Sequence, residues 1–567
     1  MDLKSLIAHA RGSEPADLLL RNARVVNVLS CEILPSDIAV AGECIVGLGA
    51  RPAREEVDLG GAFVAPGFID AHVHIESALV PPSEFARAVV PRGTTTVITD
   101  PHEIANVLGL EGIRFMFESA KYGPLAMYVM VSSCVPATAM ATSGAVLHGY
   151  DLFPLKSDPW VLGLAEVMNF PGVINGDDGV LEKIGAFRDR VIDGHCPGLT
   201  GQALQAYVSA GVGSDHESTT AAEAMEKLRL GVMVMIREGT VARDLAALLP
   251  AVTPANQHRF CFCTDDCQPA DLVDRGGIDF CVRSAIATGM DPVVAIRLAT
   301  WNPAQHFRLH DRGAITPGRR ADLVVFDDLS APTARQVYQN GRLVATDGQM
   351  CVPRRPPARA FCSTMNVSWD QVDFPIKAEG RRARVIGVMP NQLVTRALVD
   401  EPLRRDGEAL ADPSRDLLKM AVIERHMASG AVGKGFVRGI GLTRGAMASS
   451  VAHDHHNLVV IGADDVSMMT ASRRVAALHG GMVVAVGSQV VAEVPLPLGG
   501  LMSAEPVEVV RGQVGEAVAA ARALGSPLHD PFMAMSFLAL EVIPSLKLTD
   551  KGLVDVDRFE LVPLWVD

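Results

Sequence analysis

The chain has 567 residues, 49% hydrophobic and 20% charged, with a formal net charge of −14. Its length predicts two to four globular units with a large core. The negative charge argues against nucleic acid or an anionic membrane as a partner. The first eleven residues hold no sustained apolar core or cleavage site, and no apolar run is long enough to span a bilayer. The ten cysteines are scattered without paired zinc spacing, so reduced thiols and a cytoplasmic location are expected.

In chain order, short β-like runs come first, at 17–28, 37–40, 44–48 and 56–64. A related pattern returns at 318–327 and 337–344, so residues 1–65 and 311–360 are expected to build one small composite β-sheet domain. The stretch 66–310 between them alternates short apolar runs with helical patterns. Candidate strands are 94–99, 126–131, 161–164, 190–193, 232–236 and 260–263, and the length suits an α/β fold of the (β/α)8 TIM-type barrel class. Residues 361–567, glycine-rich and of mixed pattern, read as a separate C-terminal α+β domain.

In such barrels the chemistry sits where strands end. His72 and His74 lie two apart in the run Pro-Gly-Phe-Ile-Asp-Ala-His-Val-His at 66–74, so strand alternation puts both imidazoles on one side. Glu166, His195, His216 and Asp265 fall at the ends of later strand-like runs. Singly, each reads as a cap, a surface acid or a turn histidine. Jointly, four histidines and two carboxylates at one predicted face suit a divalent transition metal such as zinc, iron or manganese. A carboxylate can bridge two such cations, and the water they ionise points to hydrolysis, with Asp265 as a proton acceptor beside it.

The 66–74 run resembles the first-strand signature of the amidohydrolase superfamily. Within that superfamily, Asp100-Pro101-His102-Glu103, the run around Glu166, Ser214-Asp215-His216-Glu217, Thr264-Asp265-Asp266 and the run 444–454 are similar to the adenine deaminases, over nearly the whole chain. The resemblance implies His72 and His74 as ligands of one metal and His195 and His216 as ligands of the other. Glu166 would bridge them where many relatives use a carboxylated lysine, and Asp265 would be ligand and proton shuttle, with Asp266 as its competitor.

It further implies attack of a metal-bound hydroxide on C6 of adenine, giving hypoxanthine and ammonia in purine salvage. The cofactor would be two divalent cations per subunit, Fe2+ or Mn2+ ahead of Zn2+. Glu217 is the candidate contact to a ring nitrogen, the alternative being a cap on the following helix. Asp100, His102 and Glu103 are candidates for orienting the purine or relaying protons, a loop N-cap being the alternative, foremost for Asp100. The cluster His453-Asp454-His455-His456 shows no second ligand set at a diagnostic spacing and is expected to be structural, the alternative being that it closes over the active site. A homo-oligomer is the default expectation. Two other enzymatic readings compete: an amidohydrolase opening a cyclic amide, and the His-x-Glu zinc deaminase class, which fails because no Pro-Cys-x-x-Cys occurs. A catalytically dead oligomeric scaffold would have lost ligands that are all present here.

Overall fold

The computed structural model describes residues 1–121, 123–355, 364–390 and 392–566. The boundary expected at 360/361 lies outside the described residues. Segments from both flanks of the central region share one nine-stranded sheet: Phe63–Pro66 pairs antiparallel with Leu323–Phe326, Ala65 opposite Val324. Two expected strands are each broken in two. The run 56–64 divides into Ala53–Asp58 and Phe63–Pro66, because Gly60 and Gly61 both adopt positive φ and turn the chain. The run 337–344 is a hairpin of Gln336–Gln339 and Arg342–Thr346, with Asn340 and Gly341 at its positive-φ turn.

The central region is a curled set of parallel strands. Phe68–His74, Thr94–Thr99, Ala126–Val131, Val161–Val167 and Val191–Gly194 follow one another in space as in sequence. A second parallel sheet holds Ser214–Asp215, Met233–Arg237 and Phe260–Cys263. Beyond Thr264 the last of these continues as Asp265–Asp266, which pairs with Phe68–His74, so one stretch of chain joins the two sheets. At the other junction Gly213 N–H donates to Ile192 O at 2.9 Å. Strands come close where Gly163 faces its neighbour: a Cβ there would stand 1.9 Å from Val191 O, so only glycine fits three residues before Glu166.

The C-terminal region is built on an eight-stranded, mostly antiparallel sheet flanked by helices Asp465–Ala477 and Val507–Ala523. Its apolar face packs on the parallel strands: Val73, Val97 and Val129 share one continuous core with Met420, Val459 and Met502. That contact buries the loop 450–457 against the strand ends. No helix among the described residues is long and apolar enough to cross a membrane, and the described cysteines are all free thiols.

Candidate active site

Every residue singled out as a ligand lies at the C-terminal ends of the parallel strands and is buried. Local bonds fix them. Asp70 accepts from Thr264 N at 3.1 Å and Thr264 Oγ1 at 2.5 Å, locking the first strand to the last just ahead of Asp265. Asp265 itself sits at φ 57°, a left-handed conformation that an aspartate can hold and that turns its carboxylate into the centre. Tyr207 Oη donates to Val167 O at 2.7 Å and accepts from His195 N at 3.0 Å, tying the Glu166 strand to His195. Lys227 Nζ donates to Cys196 O and Asp215 Oδ2, both at 2.8 Å, clamping the loops that carry His195 and His216.

Glu166 lies within its strand rather than after it, and its two oxygens face opposite ways. Oε1 is 3.1 Å from His74 Nε2 and 3.6 Å from His72 Nε2. Oε2 is 2.7 Å from His195 Nδ1 and 3.2 Å from His216 Nε2. Asp265 Oδ1 closes the first group, 3.1 Å from His74 Nε2 and 3.6 Å from His72 Nε2. Those two Nε2 atoms are 3.1 Å apart. His74 Nδ1–H donates to Asp100 O at 3.0 Å, which leaves its Nε2 lone pair directed inward, the usual arrangement behind a metal-bound histidine. Convergence of lone-pair nitrogens and carboxylate oxygens, with ligand atoms within 4.8 Å of one another, fits a divalent metal centre.

The electrostatics agree. Burial opposes ionisation of Glu166, but His216 and His195 overcome it and hold the carboxyl well below the usual range. Burial likewise opposes Asp265, and hydrogen bonds from His72 and His74 with the Arg237 guanidinium hold it low. For His72, burial works downward, yet Asp265 and Glu166 raise its pKa to about 10, so its Nε2 holds a proton that a bound cation would displace. Both carboxylates are thus kept anionic in a buried pocket, as cation binding requires.

For Glu217 and Asp100 the capping alternative does not hold. Glu217 caps nothing, since Thr220 caps the helix Ala221–Arg229; it pairs through both oxygens with the buried Arg237, Nη2 to Oε2 being 3.1 Å. Burial would raise Glu217, and Arg237 lowers it below the ordinary value. Arg237 also donates to Asp265 Oδ2 at 3.0 Å, so it joins the two acids. Asp100 is no helix cap: it accepts from Ser132 Oγ at 2.7 Å and pairs with His102 Nδ1 at 2.8 Å. Asp266 is engaged by Ser77 Oγ, whereas Asp265 faces both histidines.

For 453–456 the contacts favour the alternative, closure over the site. His453 Nδ1 and His456 Nε2 bond the two oxygens of Glu103, and Asp454 Oδ1 lies 3.5 Å from His102 Nε2, so the C-terminal sheet reaches the site. Glu103, His453 and His456 bring ligand-type atoms within 4.8 Å of one another, and here they meet as hydrogen bonds. Ala452 N–H donates to His456 Nδ1 at 3.1 Å, so the ring proton is on Nε2 and points at Glu103. His455 has the structural role, bonding Ala539 O at 3.2 Å.

A cavity of about 660 Å³ opens onto Glu217 and Arg237, walled by the loop at Val241 and by Leu393, Val394 and Ile543 of the C-terminal region. Sequence reading missed Arg237, although it sits one residue past an expected strand and the strand-end rule reaches it. His453, Asp454 and His456 carried no such signal, because their partners are hundreds of residues away.

The amidohydrolase family model matches residues 63–352, and the model of the adenine deaminase C-terminal domain matches 392–560. Curated relatives named adenine deaminase align end to end. The one from Desulfatibacillum aliphaticivorans is 50% identical over 563 residues, covering 99% of both chains. That of Cereibacter sphaeroides is 48% identical over 567 residues, covering 99% of both, and that of Methanothrix thermoacetophila 47% over 572 residues, covering 100% of both. The chain belongs to the amidohydrolase family and, within it, to the adenine deaminases.

Proposed function

We propose that this protein hydrolyses adenine to hypoxanthine and ammonia at a centre of two divalent cations, Fe2+ or Mn2+ ahead of Zn2+. His72, His74 and Asp265 would hold one, His195 and His216 the other, and Glu166 would bridge them. The observation that carries this is Glu166, whose two oxygens each face a separate histidine pair. Bound there, such cations lower the pKa of a water from ~15.7 toward ~7.

The rest falls to the protein's own side chains. Glu217, kept ionised by Arg237, takes the first proton from the attacking water and passes it to ring nitrogen N1. Asp265 takes the second and delivers it to the exocyclic amine as the C6–N6 bond breaks. The water oxygen becomes the oxygen of hypoxanthine; its two protons end on N1 and on ammonia. Asp100, His102 and Glu103 orient the purine from the loop after the second strand. In this reading 66–310 is one eight-stranded barrel closing through Thr264, residues 1–65 with 311–360 form the small sheet domain, and 361–567 roof the site.

The test uses protein purified from manganese- or iron-supplemented cells and follows ammonia release from adenine and adenosine and, by chromatography, ring opening of hydantoin and dihydroorotate, which frees no ammonia. Turnover of adenine alone, lost in Glu166→Ala and Asp265→Ala, is expected. Adenine turnover that survives both substitutions would sink the mechanism.

A further inference from the structure

The C-terminal region brings to the site a polar atom that the protein itself leaves unused. His453 is 2% exposed. Its Nδ1 is occupied by Glu103, and its ring lies flat on Phe537, centroids 4.4 Å apart at 14°. Phe537 belongs to an apolar roof with Leu540 and Ile543 over Cys134 and Met168, which follow the strands Ala126–Val131 and Val161–Val167. Held at one edge and one face, the imidazole has a fixed plane, yet its Nε2 is buried with no hydrogen-bond partner. Of the other acids that act on it, Asp266 is already engaged by Ser77 and Asp454 faces His102. Native proteins rarely leave such an atom unpaired unless a ligand completes it.

We propose that His453 binds the purine, its Nε2–H donating to a ring nitrogen of the free base while Phe537 and its apolar neighbours cover the ring. This inference rests on the adenine reading above and names a substrate contact supplied by the C-terminal region. Its chemistry follows from the partners. Burial lowers the His453 pKa, but Glu103 outweighs it and holds the value near 9, so Nε2 carries a proton at neutral pH. A purine offers unprotonated ring nitrogens in the plane of its ring as acceptors, and a flat apolar roof suits its faces.

The experiment pairs a residue change with a substrate-atom change. Inhibition constants of 1-deazaadenine, 3-deazaadenine and 7-deazaadenine, and KM and kcat for adenine, are measured on the metal-loaded wild type, His453→Ala and His453→Gln, with metal content and melting temperature for each. In the wild type, N1 being the atom Glu217 protonates, one of 3-deazaadenine and 7-deazaadenine is expected to bind about 10- to 100-fold more weakly than the other, the range for a lost hydrogen bond to a charged donor. In His453→Ala that penalty disappears and adenine KM rises by a similar factor, with metal content unchanged. His453→Gln, which retains a donor, recovers part of the loss. If His453→Ala leaves the discrimination among analogues as in the wild type, the inference is overturned while the adenine reading stands. If the wild type releases no ammonia from adenine, both fall together. Should His453→Ala lose its metal or fail to fold, His453→Gln decides, and there an unshifted analogue profile with raised KM overturns the inference.

Discussion

Glu103 and His453 are 350 positions apart in the chain and share a buried hydrogen bond at the edge of the metal-type cluster. His456 holds the other Glu103 oxygen, so one carboxylate couples the helix His102–Leu108 to a loop of the C-terminal sheet. The two regions are therefore joined by a charged contact as well as by apolar packing.

That coupling is measurable. Glu103→Gln and His456→Asn should each destabilise the protein, and the double variant should fall short of their sum by about 0.5–3 kcal/mol, as for residues in one buried network. Thermal melts of the four proteins at matched metal loading provide the cycle. Strict additivity would mean the contact carries no energy.

Glu166→Gln replaces the carboxylate proposed to bridge the cations with a neutral amide. Changes to residues merely behind metal ligands cost about 10- to 100-fold, so this one should lower kcat/KM by more than about 100-fold and reduce bound metal. Metal analysis and melts with and without chelator follow it. Chelation should lower the wild-type melting temperature, because a cation that binds only the folded state stabilises it, and should scarcely change that of the variant.

Arg237→Met leaves Glu217 and Asp265 buried without their shared cation, at a stability cost of about 3–5 kcal/mol. The folded Glu217 pKa lies below its ordinary 4.5, so its stabilisation is complete above that value and is lost as pH falls through the folded pKa. Removing Arg237 raises that pKa, and the acid limb of the kcat/KM profile should move to higher pH. An acid limb that stays in place would exclude ionised Glu217 from the proton path.

Lys547 lies behind the same roof, its Nζ donating to Phe537 O at 2.8 Å and Leu393 O at 3.0 Å, and burial pushes its pKa down to about 7. An unfolded lysine titrates near ~10.4, so between about pH 7 and ~10.4 the unfolded chain binds the extra proton. Stability from this group therefore rises with pH across that window and is flat below it. Melts of the wild type and Lys547→Met from about pH 7 to about pH 9.5 should show the wild type gaining on the variant. Parallel curves would count against a neutral buried lysine.

The six residues that converge at the strand ends, and the strands that carry them, were legible in the sequence alone. His72 and His74 share a face because a strand repeats every two residues, and Glu166, His195, His216 and Asp265 lie where apolar runs stop, both of which are local properties. The flanking sheet was legible in outline, but its strands divided at Gly60-Gly61 and Asn340-Gly341, where backbone conformation prevailed over the apolar pattern. The direction in which each carboxylate faces came from tertiary structure. It turned Glu166 between two histidine pairs, set Arg237 between Glu217 and Asp265, and brought His453 and His456 onto Glu103. Those arrangements depend on contacts between residues far apart in the chain, whose energies come from burial and mutual orientation, and no local spacing encodes them.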